Sequence, residues 1–380
     1  MTRTRPLPFT AASSSVNIGV VLLYSGPTGS GVEAGLASAG AQLRTRTLSI
    51  AAALAGLAGS TVLIAWFGFH RVLSAALSVG WHGFAILILW QGVVFALLGL
   101  AWWTLVPRRP ALGLLVWARM VRDATSNCLP LSAVGGFVFG ARVANMGGLT
   151  WPMASASTLA DVTTEFLSQL VFAGGGLAFL VVDHPGSPLA LPFSIGIGLG
   201  VFGAIAFIGL QHGSAGLAER FGRRFGAAWM SGLAARIGLM QREIHLIYAN
   251  RILFAAASLL HLGAWIANGV GSWFIMRLIG ADIGLPAALA IEGLLQAALT
   301  VAFAVPGFAG VQELAYVGLG GIFGLPADAA IAVSLVRRAR DLAIGVPVLL
   351  TWQLCEARRL EPGSAPGGEQ SCKPAKRQAE

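Results

Sequence analysis

Long apolar runs alternate with short polar ones along this chain, and the apolar runs are of two kinds. Uninterrupted runs cover 50–69, 81–105, 154–182, 189–211, 252–279 and 329–355. Most reach the roughly 20 residues a helix needs to cross the hydrocarbon layer. Two other apolar stretches, 111–147 and 286–325, are interrupted by the Pro/Gly clusters NCLPLSAVGG (127–136) and VPGFAGVQE (305–313). Irregular backbone survives at bilayer depth only where protein covers it or where it lines a cavity. The pattern predicts an all-α integral membrane protein. The expected architecture is a polytopic helical bundle of about six full spans plus two re-entrant hairpins.

The segment 212–250 has a different rhythm. Leu217, Phe221, Phe225, Trp229, Leu233, Ile237, Met240, Ile244 and Tyr248 recur every three or four residues, with arginines between them. That spacing predicts an amphipathic helix on the membrane surface, its arginines toward lipid head groups. Residues 1–48 and 356–380 read as polar, disordered tails that flank a transmembrane domain at 49–355.

Composition sharpens this picture. A hydrophobic share of 56%, only 11% charged residues and a mean hydropathy of +0.75 exclude a soluble domain, and with it a soluble catalytic or nucleic-acid-binding one. The net charge of +9 sits in short loops and at the ends, where it reads as a topology signal and an anionic-lipid contact. Basic residues mark the N-terminal tail, Arg108-Arg109, 212–250 and the tail after Cys355 as cytoplasmic. The loops 183–188 and 280–285, which hold Asp183 and Asp282, are then external. Only one uninterrupted span lies between Arg109 and Asp183, so parity makes 111–147 enter and leave on the cytoplasmic side. By the same count 286–325 enters and leaves from outside. Pro130 and Pro152 in one half echo Pro306 and Pro326 in the other. Paired, interrupted segments of opposite orientation are the mark of an inverted repeat.

Both halves carry ions at membrane depth. One holds Arg119, Arg122, Asp123, Arg142, Asp161 and Glu165, and the other Glu292, Glu313, Arg337, Arg338, Arg340 and Asp341. An unpaired charge at the bilayer centre costs about 2.5–3.5 kcal/mol on insertion scales, so these residues predict a shared polar cavity. Asp161 and Glu165 lie four apart on one helix face, and Arg142, Arg337 and Arg338 are the expected partners. Arginine also suits bidentate phosphate binding. In PGFAGVQE the backbone is free to unwind at Pro306, Gly307 and Gly310, which leaves Glu313 at the start of a new helix where the dipole favours a carboxylate. The expected convergence is of Glu313, Asp161, Arg142 and Arg337 or Arg338 on one cavity. The histidines are scattered and the three cysteines lack ligand spacing, so no metal or other cofactor is expected. No GxSxG, HExxH or Walker-type motif is present, so no catalytic residue is assigned and ATP-driven transport by this chain alone is excluded.

At PGFAGVQE followed by SLVRRARD (334–341), the chain resembles the flippase-like membrane domain family, the membrane part of lysylphosphatidylglycerol synthase/flippase proteins. The resemblance covers about 50–355. It assigns a substrate-binding and translocation role to Pro306, Gly307, Gly310, Glu313 and Arg337 or Arg338. The family's earlier element is matched by Asn127, Pro130, Gly136 and Arg142, with Phe137 where the family has an acidic residue. Asp161, Glu165 and Asp341 complete the candidate set. The wording ARMVRDATSNCLPLSAVGGFVFGAR (118–142) is similar to the hopanoid-biosynthesis-associated members. The resemblance implies a lipid flippase or transporter of the bacterial inner membrane, with both termini cytoplasmic. Its expected partners are membrane lipids and hopanoid-biosynthesis enzymes. The alternative is an intramembrane enzyme or accessory factor of lipid biosynthesis.

Overall fold

Ten helices and no strands make up the described part of the chain in a computed structural model. That part is residues 74, 77–107, 109–128, 133–225, 228–301 and 310–359. The expected span at 50–69, the N-terminal tail and residues 360–380 lie outside the described residues, and the first four residues of the expected C-terminal tail, 356–359, are helical. The helices are α1 (Gly80–Leu105), α2 (Leu112–Cys128), α3 (Ala133–Met146), α4 (Trp151–Asp183) and α5 (Ala190–Phe225). They continue with α6 (Ala228–Ala249), α7 (Arg251–Leu278), α8 (Leu285–Val301), α9 (Val311–Ile322) and α10 (Ala327–Arg359).

By length and apolarity, α1, α4, the 190–213 part of α5 and α7 can each cross a membrane. Their outward faces bear Leu89, Val182, Leu199, Phe202, Ile205 and Leu259, all exposed. Water would not tolerate so continuous an apolar surface, whereas lipid does. The last expected span lies in α10, which has 33 residues but carries Arg337, Arg338, Arg340 and Asp341 near its middle. Helix ends follow local chemistry. The Thr150 hydroxyl accepts the Met153 N–H at 3.4 Å with Pro152 in the first turn of α4, and Asn250 caps α7 through Leu253 N–H at 3.1 Å. Gly310 enters α9 at φ +79°, a left-handed conformation that any side chain would strain.

The two interrupted stretches form helical hairpins. In the first, α2 packs along α3, and in the second, α8 packs on α9. At 17, 14, 17 and 12 residues, these arms reach roughly 18–26 Å at 1.5 Å per residue, short of a crossing of about 30 Å. The clusters 129–132 and 302–309 between the arms lie outside the described residues.

Packing orients the hairpins. One apolar core gathers Leu105 at the end of α1 and Val106 after it, Leu115 of α2, Leu149 and Met153 before and within α4, and Val348 of α10. The other gathers Val79 and Leu87, Leu180, Ile275, Ile283, Leu325 and Ala330. The outer ends of α2 and α3 thus belong to one end of the bundle and those of α8 and α9 to the other. The hairpins are inserted from opposite ends.

Helix α8 sits against α4 through glycines. A Cβ added to Gly293 would come within 2.8 Å of the Phe172 carbonyl oxygen, and one on Gly176 within 2.9 Å of the Ala290 carbonyl oxygen. Neither backbone atom can move aside cheaply. Overpacking of this kind costs about 1–3 kcal/mol, so Gly293→Val is expected to lower the melting temperature of the purified protein by several degrees. Gly174→Ala, whose added carbon meets nothing within 4 Å, is the control and should leave it unchanged.

Residues 212–225 and 228–249 are helical. Helix α5 runs on to Phe225, and α6 folds back along it and against α4. Ile244 and Ile247 are buried in the first core. Tyr248 donates a hydrogen bond at 2.9 Å to Thr163 in the middle stretch of α4. The apolar periodicity therefore reports packing inside the bundle at this end of the segment, because a stripe facing helices and a stripe facing acyl chains look alike in sequence.

Candidate functional site

The ions of α2 lie three and four residues apart at Arg119, Arg122 and Asp123, so they share one face of a short hairpin arm. That face meets the face of α4 bearing Asp161 and Glu165. Arg119 donates from Nε to Asp123 at 3.1 Å and from Nη1 to Asp161 at 3.2 Å and Glu165 at 2.9 Å, and its Nη2 also meets Glu165. Arg122 donates to Asp161 at 2.6 Å and contacts Glu165. From α7, His261 Nε2 donates to Asp161 at 3.0 Å. Asp161 and His261 are both 0% exposed. Two guanidinium groups thus face three carboxylates, and a buried imidazole stands against the innermost.

Phe137 occupies the place where the resembling family has an acid. Its ring lies 4.7 Å from the Arg122 guanidinium carbon. The negative face of an aromatic ring attracts a cation, so Phe137 supplies electrostatic contact where a carboxylate would otherwise stand.

The second ion group joins α8, α9 and α10. Glu292, 1% exposed, accepts two bonds from Arg337 Nη1 at 2.5 and 2.6 Å, and the Tyr316 hydroxyl donates to the same carboxylate. Arg338 donates to Glu313 at 3.2 Å, and Ser334 donates to Glu313 at 3.1 Å. Glu313 in turn accepts the Gly310 N–H at 2.9 Å, closing the first turn of α9 as its position in the sequence suggests. Arg340 is held by its neighbour Asp341 at 2.8 Å.

The two groups occupy matching places. Counted from the first residue of each helix, Arg119 in α2 and Glu292 in α8 hold the same position. So do Asp161 in α4 and Arg337 in α10, and again Glu165 and Asp341. The first two matches reverse the sign of the charge, and the third keeps it. Arg119, Glu292, Asp161 and Arg337 lie roughly 10–15 Å along their helices from opposite ends of the bundle. That is the middle of a hydrocarbon layer about 30 Å thick. Where α2 brings a cation to anions on α4, α8 brings an anion to a cation on α10.

Between the groups lies a cavity of about 230 Å³, lined by Arg119, Asp123 and Glu165 from one and Arg337, Arg340 and Asp341 from the other. The carboxamides of Gln91, Asn127, Asn268, Gln296 and Gln312 complete its polar wall. A second cleft of about 330 Å³ adjoins it, walled by Phe137, Val162, Phe166 and Phe207. The two spaces share Glu165, Trp265, Gln296 and Leu299. A polar chamber thus opens beside an aromatic one.

Of the residues singled out from sequence, Asn127, Glu165, Arg337 and Asp341 line the polar cavity. Asp161, Arg142, Gly310, Glu313 and Arg338 do not line it, so of the expected convergence only Arg337 reaches the cavity, and Asp161 meets it through Arg119. Pro130, Pro306 and Gly307 lie outside the described residues. The expected pairing of Asp161 and Glu165 with Arg142, Arg337 or Arg338 is corrected to Arg119 and Arg122. Arg142, on the second hairpin arm, instead donates to Glu356 at 2.6 Å near the end of α10, with its side chain 39% exposed. Arg142 lies four residues from the end of α3 and so meets the last turns of α10, whereas Arg119 stands deeper, in the cavity wall. His261 and Tyr316 were not among the candidates, and Glu292 was named as a buried ion without an assigned partner. Glu292 gave a signal as an acid inside an apolar run, while His261 and Tyr316 gave none. No group of three or more metal-ligating side chains occurs among the described residues.

Helices too short to cross, inserted from opposite ends around buried ions, define an all-α membrane protein with a polar site at its centre. The chain belongs to the lysylphosphatidylglycerol synthase TM region family, whose model matches residues 50–348. That membership fits a lipid-related flippase or synthase role in the membrane. No curated protein and no solved structure matches the chain.

Proposed function

We propose that this protein is a lipid flippase of the bacterial inner membrane, with both termini cytoplasmic, and that the central cavity receives the head group. The observation that carries this reading is the pair of adjoining spaces, one walled largely by ions and carboxamides and one, mostly apolar, where Phe137, Phe166, Phe207 and Trp265 stand beside Arg122, Glu165, Gln169, Gln296 and Thr300. A lipid presents the same division between a polar head and an apolar body. Opposed hairpins around the cavity suit alternating access, in which one half rocks against the other about a fixed site. The similarity of 118–142 to hopanoid-associated members makes hopanoid handling, beside the enzymes of hopanoid synthesis, the setting we favour. No catalytic step is assigned to the chain.

Transbilayer movement of labelled lipids in reconstituted vesicles tests the reading. Asp341 lines the cavity and keeps about a third of its side chain exposed, so Asp341→Asn should preserve the fold. Its loss frees Arg340 and disturbs the cavity wall, and the expected result is at least about tenfold slower movement, the equivalent of one strong hydrogen bond. Movement at the full rate in this variant, or none by the wild-type protein for any lipid, would reject the proposal.

A further inference from the structure

We infer that the cavity selects an electrically neutral, hydroxyl-bearing head group, a polyol or a sugar, over a phosphate anion. The inference rests on the proposed head-group site and names its chemistry. Arginine in a membrane cavity suggests phosphate, but here each cavity arginine already has a carboxylate: Arg119 has Asp123 and Glu165, Arg337 has Glu292, and Arg340 has Asp341. The lining holds three cations and three anions. An entering phosphate would add an uncompensated negative charge beside Asp123, Glu165 and Asp341, in a place where water is scarce and charge is costly.

What the cavity offers instead is unpaired hydrogen-bonding capacity. Gln91 is buried, lines the cavity, and its Oε1 has no partner among the described residues. Asn268 and Gln296, also in the lining, present further side-chain amides to the space. A carboxamide both donates and accepts, and so does a hydroxyl, whereas a phosphate oxygen only accepts and an ammonium only donates. A buried acceptor without a partner is unfavourable, and a ligand hydroxyl reaching Gln91 would relieve it. Carboxamides from α1, α7 and α8 thus face the space.

The test measures binding separately from transport. The full chain in phosphatidylcholine nanodiscs is titrated with decyl glucoside, decyl phosphate and decyl phosphocholine, and the melting temperature is followed. Decyl glucoside is expected to raise it by several degrees. Gln91→Leu and Gln296→Leu, made singly, should each weaken that response by about tenfold in half-saturating concentration. The melting temperature without ligand reports whether each variant is folded, so either one suffices if the other fails. A larger response to decyl phosphate or decyl phosphocholine, or no response to any of the three, would overturn the inference. An equal response to free glucose would uphold the polyol chemistry while removing the lipid as its source. Glucoside binding without any lipid movement in vesicles would leave the inference standing and sink the flippase reading alone.

Discussion

Arg119→Leu is expected to destabilise the protein by about 3–5 kcal/mol, the range for stripping one partner from a buried ion group. Arg119 contacts three carboxylates, Asp123, Asp161 and Glu165, and its side chain is 3% exposed. Without it, Arg122 alone would face three anions in a place that water barely reaches. Arg119→Lys is not a rescue. An ammonium is a single point on a flexible stem and cannot present donors to three carboxylates spread around a planar fork. Both variants should yield less protein in the membrane and melt well below the wild type. Melting of Arg119→Leu within a degree or two of wild type would mean that the group is hydrated and loosely coupled.

At the second ion group the expected result is a large penalty for a single change and a small one for a concerted change. Arg337→Leu leaves Glu292 buried with only the Tyr316 hydroxyl beside it, again at about 3–5 kcal/mol. Replacing the whole group, as Glu292→Leu, Arg337→Leu and Tyr316→Phe together, removes the charges and their unpaired remainders at once. Such replacements of a buried pair are often neutral or stabilising by about 1–4 kcal/mol. The triple variant should therefore melt near or above the wild type. Its lipid movement should nevertheless be lost, because Arg337 lines the cavity. A triple variant that melts as low as the single one would refute the pairwise account of this group. A triple variant that still moves lipid would make the pair structural only.

Phe137 and Arg142 show where the limits of sequence reading lay. Phe137 stands at a position where the resembling family carries an acid, and the substitution looks like a loss from the site. The fold places its ring under Arg122 instead, so part of the electrostatic role passes to an aromatic face. Arg142 fits the family wording, yet its partner is Glu356, in the last turns of α10. Nothing within the first half of the chain could have named that residue.

The sequence by itself determined the helices, the apolar faces and the two interruptions, because these depend on local composition and backbone chemistry. Clustered proline and glycine disfavour a continuous helix, and a run of about 20 apolar residues has few alternatives to a span. It also determined that Asp161 and Glu165 share a face, and that Glu313 would cap a helix behind a glycine. Only the tertiary structure decided which ions meet. That depends on the rotation of each helix about its axis and on the insertion of the hairpins from opposite ends. Both are set by close glycine contacts such as Gly293 on Phe172 and by two separate apolar cores. A turn of one residue moves a side chain by about 100° around its helix, which is enough to carry a side chain such as Arg119 out of the cavity wall.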